Sequence, residues 1–164
     1  MTPKTILMLL TNAYDPDPRV RQEALSLIAM GCRVRLLSWD RDQKAAATES
    51  IEGVEVERVF VASRHGRGPT QILFYLRVYA KMFWRGWRTP FDAVHCHDLD
   101  TLPLGFVLGK LRRKPIVYDA HESFPDMLEG SVPPTRCVHF VRPVAASIAN
   151  VVPEKPLTKR SPSQ

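Results

Sequence analysis

A chain of 164 residues that is 45% hydrophobic, with a net charge of +6, is neither disordered by composition nor too short for a real core. Its apolar runs are shorter than the roughly 18 residues that a membrane-spanning helix needs, and the start does not resemble a signal peptide. The three cysteines, Cys32, Cys96 and Cys137, are far apart and odd in number, which favours reduced thiols in a cytosolic protein.

The first predicted elements are a strand and a helix. Residues 4–10 form a continuous apolar run, which is typical of a central parallel strand covered on both faces. Asp17 can cap a helix and Pro18 fits its first turn. Apolar residues then recur at helical spacing, and Gly31 closes the predicted helix.

The rest of the pattern continues to alternate strands with helices. Residues 54–61 alternate polar and apolar side chains, so we expect this strand at an edge of the sheet. The other predicted elements are strands at 32–39, 91–97 and 115–121, a long helix after Pro69 and a helix from near Asp100 that stops before Pro115. This order predicts an α/β fold, a Rossmann-like, doubly wound parallel sheet with helices on both faces.

The composition changes after Glu122, where about a quarter of the chain holds half of its 14 prolines. Hydrophobic periodicity is weak there, apart from one short helical pattern around residues 144–151. We therefore expect an ordered domain at residues 1–125 and a proline-rich, weakly structured segment at residues 126–164.

Polar residues follow three of the predicted strands. In an open parallel sheet, ligands bind beyond the carboxyl ends of the strands. Residues 11–19, 95–101 and 119–122 should therefore converge at one rim. The loop after the first strand lacks the glycines of a dinucleotide site or a P-loop, so a nicotinamide or ATP site there is not expected. For Asp17 and Pro18 we prefer a role in starting the helix.

His95 and His97 alternate along a strand and should share a face. Together with Asp98 and His121 they could form a site for zinc or another divalent ion. No compact ligand motif such as H-E-x-x-H is present, and we expect no metal. For His121 a functional role is favoured, as a donor or proton carrier at neutral pH at the end of a central strand.

Two long stretches resemble a known family. They are "DPRVRQEALSLIAMGCRVRLLSWDR" and "FDAVHCHDLDTLPLGFVLGKLRRKPIVYDAHE". Together they are similar to the N-terminal domain of family 4 glycosyltransferases of the GT-B fold, over about Lys4 to Glu122. The pair "HDLDTLP" and "VYDAHE" is the most specific part of the resemblance.

The resemblance implies the acceptor side of a retaining glycosyltransferase, which moves a sugar from a nucleotide-sugar donor to a glycan or a lipid-linked acceptor of the cell surface. It implies no cofactor and no bound metal. His121 matches the histidine near the donor sugar and its phosphate, where it would stabilise charge on the leaving group as a catalytic residue. The residues implied in acceptor binding are Asp15, Arg19, His97, Asp98, Asp100, Asp119 and Glu122.

Enzymes of this type carry a second, donor-binding domain, for which these 164 residues leave no room. We therefore expect either a truncated product or a half-enzyme that works with a separate donor-binding subunit. In both cases the chain alone should transfer little sugar. The alternative is a noncatalytic module that recruits a partner or a membrane.

No acidic residue lies between Arg58 and Phe91, a stretch rich in arginine. Its long helical pattern carries one basic stripe, formed by Arg77, Lys81, Arg85 and Arg88. Basic helices rich in aromatic residues can bind anionic membranes, so we expect a cytoplasmic protein with the inner face of the cell membrane as a candidate partner. An ordinary helix with a solvated basic face is the other interpretation. Nucleic acid is not expected as a partner, because no binding motif accompanies the charge.

Overall fold

Three helices cover a six-stranded sheet in the computed structural model, which describes residues 2–15, 17–61 and 70–119. The strands are β1 (Thr5–Leu10), β2 (Arg33–Asp40), β3 (Thr48–Ile51), β4 (Val54–Phe60), β5 (Ala93–His97) and β6 (Ile116–Asp119), and the helices are α1 (Pro18–Ala29), α2 (Thr70–Arg88) and α3 (Asp98–Arg112). The strand order is β3-β4-β2-β1-β5-β6, with β3 antiparallel to β4 and the other neighbours parallel. The α/β, Rossmann-like architecture that the sequence predicts is confirmed.

The two faces of the sheet bury separate apolar cores. On β1, Ile6 and Met8 pack in the core that includes Val20 and Ala24 of α1. The alternate residues of β1, including Leu7, pack in the core beneath α2 and α3. Both faces of β1 are therefore buried, which explains its continuous apolar run and confirms that helices lie on both sides.

Helix α1 begins and ends where its local sequence indicates. The Asp17 carboxylate accepts a hydrogen bond from the backbone N–H of Arg19 at 3.0 Å, and Pro18 occupies the first turn. At the other end Gly31 has a φ of +86°, a left-handed conformation that glycine adopts without a Cβ clash. The role of Asp17 and Pro18 in starting the helix is confirmed.

The prediction that residues 54–61 form an edge strand is wrong. Strand β3 lies outside β4 and pairs with it antiparallel, in a hairpin whose register sets Ile51 opposite Val54. The two connecting residues, Glu52 and Gly53, have φ values of +51° and +87°, as a tight hairpin turn requires. The polar side chains of β4 alternate because Val54 and Val56 face the core beneath α1, while Glu55 and Glu57 line an open groove on the other face of the sheet.

Helix α3 begins at Asp98, two residues before the predicted start at Asp100. Two of its glycines face the sheet at close range. A Cβ added at Gly105 would overlap the Cys96 Sγ atom, and one at Gly109 would overlap the Ile116 side chain. The glycines therefore set how closely α3 packs on β5 and β6.

The loop after β2 is folded around the carboxylate of Asp40, which is 1% exposed. Its two oxygens accept hydrogen bonds of 2.9–3.0 Å from four backbone N–H groups, those of residues 42, 43, 44 and 45. Burial alone would raise the pKa of Asp40, but the four hydrogen bonds outweigh it and the pKa lies below its ordinary value. This carboxylate therefore organises the loop and stays ionised at neutral pH.

Two sequence-based expectations concern residues outside the described ranges. The domain boundary near residue 125 and the proline-rich segment 126–164, with its helical pattern at 144–151, lie there and stay predictions. Within the described ranges, every helix is too short or too polar to cross a membrane.

Candidate functional site

Three elements deliver polar side chains to the carboxyl ends of the parallel strands. β1 ends at Leu10, β5 at His97 and β6 at Asp119. The register sets His97 directly opposite Asp119, so the ends of β5 and β6 are level. The loop after β1 and the start of α3 complete this rim of the sheet.

The loop after β1 reaches α3 through its first residue. The Thr11 hydroxyl donates a hydrogen bond to the carboxylate of Asp100, which lies 89 positions later in the sequence. Asn12 then turns the chain, because its side-chain oxygen accepts from the Tyr14 N–H at 2.9 Å. Asp15 follows, with an exposed side chain.

Arg58 of β4 holds the same loop from the other side. Its guanidinium donates to the backbone carbonyls of Ala13 at 2.8 Å, Tyr14 at 3.2 Å and Ala46 at 3.0 Å. The side chain also pairs with Glu49 of β3 and is 2% exposed. Arg58 is thus a structural residue, although in the sequence it belongs to the acid-free basic stretch.

A positive charge lies beside the acidic groups of the rim. The guanidinium of Arg19 pairs with Asp17 at 3.2 Å. The pKa of Arg19 is raised, chiefly by the hydrogen bond with Asp17 and also by the negative charges of Asp17, Asp98 and Asp119. The arginine at the start of α1 therefore shares one electrostatic site with the carboxylate that begins α3 and the carboxylate that ends β6.

Two histidines and two carboxylates form a compact cluster beneath this edge. The ring centroids of His95 and His97 are 4.3 Å apart, which confirms that the two side chains share a face of β5. His95 Nε2 lies 3.5 Å from a Glu23 carboxylate oxygen, and His97 Nδ1 lies 3.9 Å from the same oxygen. His97 Nδ1 is also 4.0 Å from a carboxylate oxygen of Asp119.

The first turn of α3 presents two acidic residues to the rim. Asp98 has a φ of +67°, and the Thr101 hydroxyl donates to the backbone carbonyl of His97 at 2.6 Å, which fixes the transition from strand to helix. Tyr79 of α2 donates through its hydroxyl to the Asp100 backbone carbonyl at 2.6 Å. Burial, with a smaller contribution from the Asp100 charge, raises the pKa of Tyr79 and keeps it protonated as a donor.

The structure brings together most of the residues that the sequence assigns to acceptor binding. Arg19, His97, Asp98, Asp100 and Asp119 lie at this rim, and Asp15 lies exposed in the loop after β1. His121 and Glu122 lie outside the described residues, so their assigned roles stay predictions.

The basic stripe of α2 lies apart from the rim cluster. Lys81 donates through Nζ to the Phe60 carbonyl at 3.0 Å, and Arg85 pairs with Glu57 of β4. The guanidinium of Arg88 lies 4.5 Å from the centre of the Trp84 ring. The four residues of the stripe are thus not equivalent, since two of them bind groups on β4.

Sequence reasoning missed Glu23 and Tyr79 as members of the site, and it included Thr11 only as part of the loop at residues 11–19. Glu23 had a usable signal, because it precedes the buried Ala24 and lies near the apolar stripe of α1. For Tyr79 the sequence offers no comparable signal, since its partner on α3 is set by the tertiary fold.

A groove of about 320 Å³ lies elsewhere on the molecule. It is lined by Arg35 and Glu55 in the amino-terminal halves of β2 and β4 and by Thr89 after α2. Ligands of open parallel sheets bind at the carboxyl ends of the strands instead. The rim, and not this groove, is therefore the candidate site.

Comparison with known proteins gives one family match. The family model described as "Glycosyl transferase 4-like domain" matches residues 16–155. No curated protein matches the sequence significantly.

Several solved structures are similar in fold. An α,α-trehalose-phosphate synthase (UDP-forming) from Burkholderia vietnamiensis has a TM-score of 0.52 and 16% identity, over 76% of this chain and 35% of the synthase. The calicheamicin glycosyltransferase CalG4 has a TM-score of 0.50 and 19% identity, over 92% of this chain and 40% of the other. The C-terminal domain of a hydrogenase from Pyrococcus furiosus has a TM-score of 0.56 and 16% identity, over 73% of this chain and 94% of that domain. At these identities the likeness shows the fold alone.

Proposed function

The chain belongs to the glycosyl transferase 4-like domain family, and we propose on that premise that it is the acceptor-binding half of a retaining glycosyltransferase. The donor would be a nucleotide sugar, and the acceptor a glycan or a lipid-linked sugar of the cell surface. The chain spans 35% and 40% of the two glycosyltransferases that it resembles, so transfer would need a donor-binding half as well.

The observation that carries the proposal is the convergence of Thr11, Arg19, Asp98, Asp100 and Asp119 at one rim. These groups come from the loop after β1, the start of α1, the start of α3 and the end of β6. Carboxylates and a hydroxyl at the edge of a buried sheet are suited to bind sugar hydroxyl groups, which both donate and accept hydrogen bonds. The exposed Asp100 and Asp15 would contact the acceptor, while Arg19 holds the acidic groups in position.

A reconstitution experiment tests this function. The full chain would be incubated, alone and with a separately expressed donor-binding domain of the same family, with radiolabelled UDP-glucose or GDP-mannose and a lipid extract from the organism of origin. We expect label in the lipid or glycan fraction only when both halves are present. If two folded halves that bind each other transfer no label from either donor, the enzymatic function is wrong and the recruitment module is favoured.

Helix α2 carries a surface that supports peripheral binding to an anionic membrane. Ile72, Leu73, Leu76 and Trp84 are each more than half exposed and lie along one stripe of the helix. The basic stripe runs beside them, with Arg77 and Arg88 at its border. Exposed apolar side chains flanked by cations are the pattern of a helix that lies in the membrane interface. Such a position would bring the rim close to a lipid-linked acceptor at the inner face of the membrane.

Neutralising the two border arginines should weaken this binding. The Arg77→Gln/Arg88→Gln variant is expected to bind phosphatidylglycerol-containing vesicles about 30-fold less tightly, since each basic residue near such a surface contributes about 1 kcal/mol. Vesicle sedimentation with and without the anionic lipid measures the change. The control is Arg33→Gln/Lys44→Gln, which removes the same charge from exposed positions on β2 and the loop after it. Equal binding by the wild type and both variants would exclude α2 as the membrane contact.

A further inference from the structure

The cluster of Glu23, His95, His97 and Asp119 has a composition and spacing that acceptor binding does not require. One ligand atom from each residue, a ring nitrogen or a carboxylate oxygen, lies within 4.8 Å of the corresponding atom of the other three. His95 Nε2 lies 3.5 Å from Glu23 Oε2. Four potential metal ligands therefore surround one small volume.

Three separate elements hold the cluster in place. His95 and His97 alternate along β5 and so point to the face that α1 covers. The strand register sets Asp119 of β6 beside His97, and the packing of Val20 and Ala24 on the sheet brings Glu23 of α1 over the two rings. The ligand positions are thus fixed by the sheet and by the docking of one helix rather than by a loop.

The cluster lies at the boundary between core and solvent. The His97 side chain is 1% exposed and that of His95 11%, whereas Asp119 is 14% and Glu23 34% exposed. The imidazoles are therefore the buried part of the cluster, and the carboxylates lie nearer to solvent. Glu23 is the most exposed of the four and lies on the solvent side of the cluster.

We propose that Glu23, His95, His97 and Asp119 bind one zinc ion. Imidazole nitrogens and carboxylate oxygens in a four-membered set are zinc ligands, whereas Mg²⁺ and Ca²⁺ prefer oxygen ligands alone. Tetrahedral zinc with bonds of 2.0–2.2 Å would hold the ligand atoms about 3.4 Å apart. The ligand atoms here all lie within 4.8 Å of one another, so small side-chain rotations would close the site.

The charge balance also favours a metal ion. Two carboxylates in a largely buried site are costly unless a positive charge compensates them. Arg19 supplies part of that charge beside Asp119. One divalent ion in the cluster would compensate both carboxylates.

This site differs from what the sequence suggested. The sequence-based alternative for a metal combined His95 and His97 with Asp98 and His121, whereas the cluster uses Glu23 and Asp119.

The zinc would join α1 to the ends of β5 and β6 and so fix the rim, and no step of sugar transfer needs to pass through it. Binding of zinc can therefore be measured whether or not the chain supports transfer.

Metal titration of the full, tag-free chain tests the proposal. After removal of metal with a chelator and dialysis, the chain is titrated with ZnCl₂ by calorimetry and the bound zinc is counted by elemental analysis. We expect one zinc per chain, a rise in Tm on binding, and visible absorption bands typical of tetrahedral coordination when Co²⁺ replaces zinc. MgCl₂ at the same concentration should neither bind nor shift the Tm.

Two conservative variants test the ligand set. Glu23→Gln and Asp119→Asn keep the size of the side chain but remove a ligand charge, and each should weaken zinc binding by more than about tenfold, because even partners outside the ligand shell contribute that much. The control is Asp42→Asn, an exposed carboxylate that pairs with Lys44 and should bind zinc as the wild type does. The proposal is overturned if the folded chain shows no one-to-one binding, or if both variants bind zinc like the control.

Discussion

Replacing His121 with Ala is expected to slow sugar transfer by the reconstituted enzyme about 100- to 1,000-fold. In the proposed function His121 donates a hydrogen bond to the leaving phosphate, and removing one donor from developing negative charge typically costs that much. His121 follows Asp119 by two residues, and Asp119 ends β6 at the rim where the acidic groups converge. The measurement is the initial rate of label transfer at a saturating concentration of the nucleotide sugar.

His65→Ala serves as the matched control, since it makes the same substitution at a histidine with no assigned role. It should transfer sugar at the wild-type rate. Circular dichroism and the Tm of both variants show whether the domain is still folded. An unaltered rate in a folded His121→Ala variant would remove this residue from the catalytic machinery.

Replacing Gly105 with Ala is expected to destabilise the domain by about 2 kcal/mol. The added Cβ would overlap Cys96 Sγ and lie 3.4 Å from Leu9 Cδ1. Cys96 and Leu9 are both 0% exposed, so neither can move aside without disturbing the core. The estimate already includes the roughly 1 kcal/mol by which alanine favours a helix over glycine. Urea unfolding followed by circular dichroism gives the free energy of unfolding.

Gly86→Ala is the matched comparison for this steric argument. A Cβ at Gly86 would overlap only the terminal Cδ1 atom of the Leu108 side chain, at 2.8 Å, which is a milder overlap than the one with Cys96 Sγ at Gly105. We expect its free energy of unfolding to change by less than about 1 kcal/mol, since helix propensity offsets the contact. Adding Cys96→Ala to Gly105→Ala removes the clashing sulfur and should recover part of the loss. Equal stabilities of the two alanine variants would show that α3 is not closely packed on β5.

The thiol of Cys96 provides a second readout of the same packing. Burial raises the pKa of Cys96 to about 12, so the thiol is protonated and unreactive in the folded domain. Loosening of α3 in Gly105→Ala should therefore increase alkylation of Cys96, detected by mass spectrometry of its peptide. A destabilised variant with an unreactive Cys96 would indicate that the strain is relieved elsewhere in the core.

The elements that sequence reasoning found are those with local signals. Helix α1 is bounded by Asp17, Pro18 and Gly31, each of which acts on the backbone within a few residues of itself, and the apolar run of β1 reflects burial on both faces. Strand β3 was missed because its four residues, three of them polar, are held by pairing with β4 through the turn at Glu52 and Gly53. The whole hairpin supplies this pairing, so the residues of β3 alone do not predict a strand.

The residues of the candidate site divide in the same way, into those with a local signal in the sequence and those placed only by the tertiary fold. The sequence places His97, Asp98 and Asp119 at strand ends because strand ends are visible as the limits of apolar runs. Glu23 was not assigned to the site, since its contact with His95 depends on how α1 docks against β5. Arg58 looked like one more cation of a basic stretch, and its burial depends on Glu49 and three carbonyls contributed by two loops.

The way in which Arg58 holds the loop after β1 bears on how this protein can evolve. The guanidinium holds the loop by hydrogen bonds to the main-chain oxygens of Ala13 and Tyr14. Every amino acid has a main-chain oxygen, so these bonds do not depend on the side chains at the two positions. In the proposed function, a change at the exposed position 15 would therefore alter the contacts with the acceptor while the loop keeps its place. A single buried cation on β4 would thus let the acceptor specificity change without any change in the scaffold.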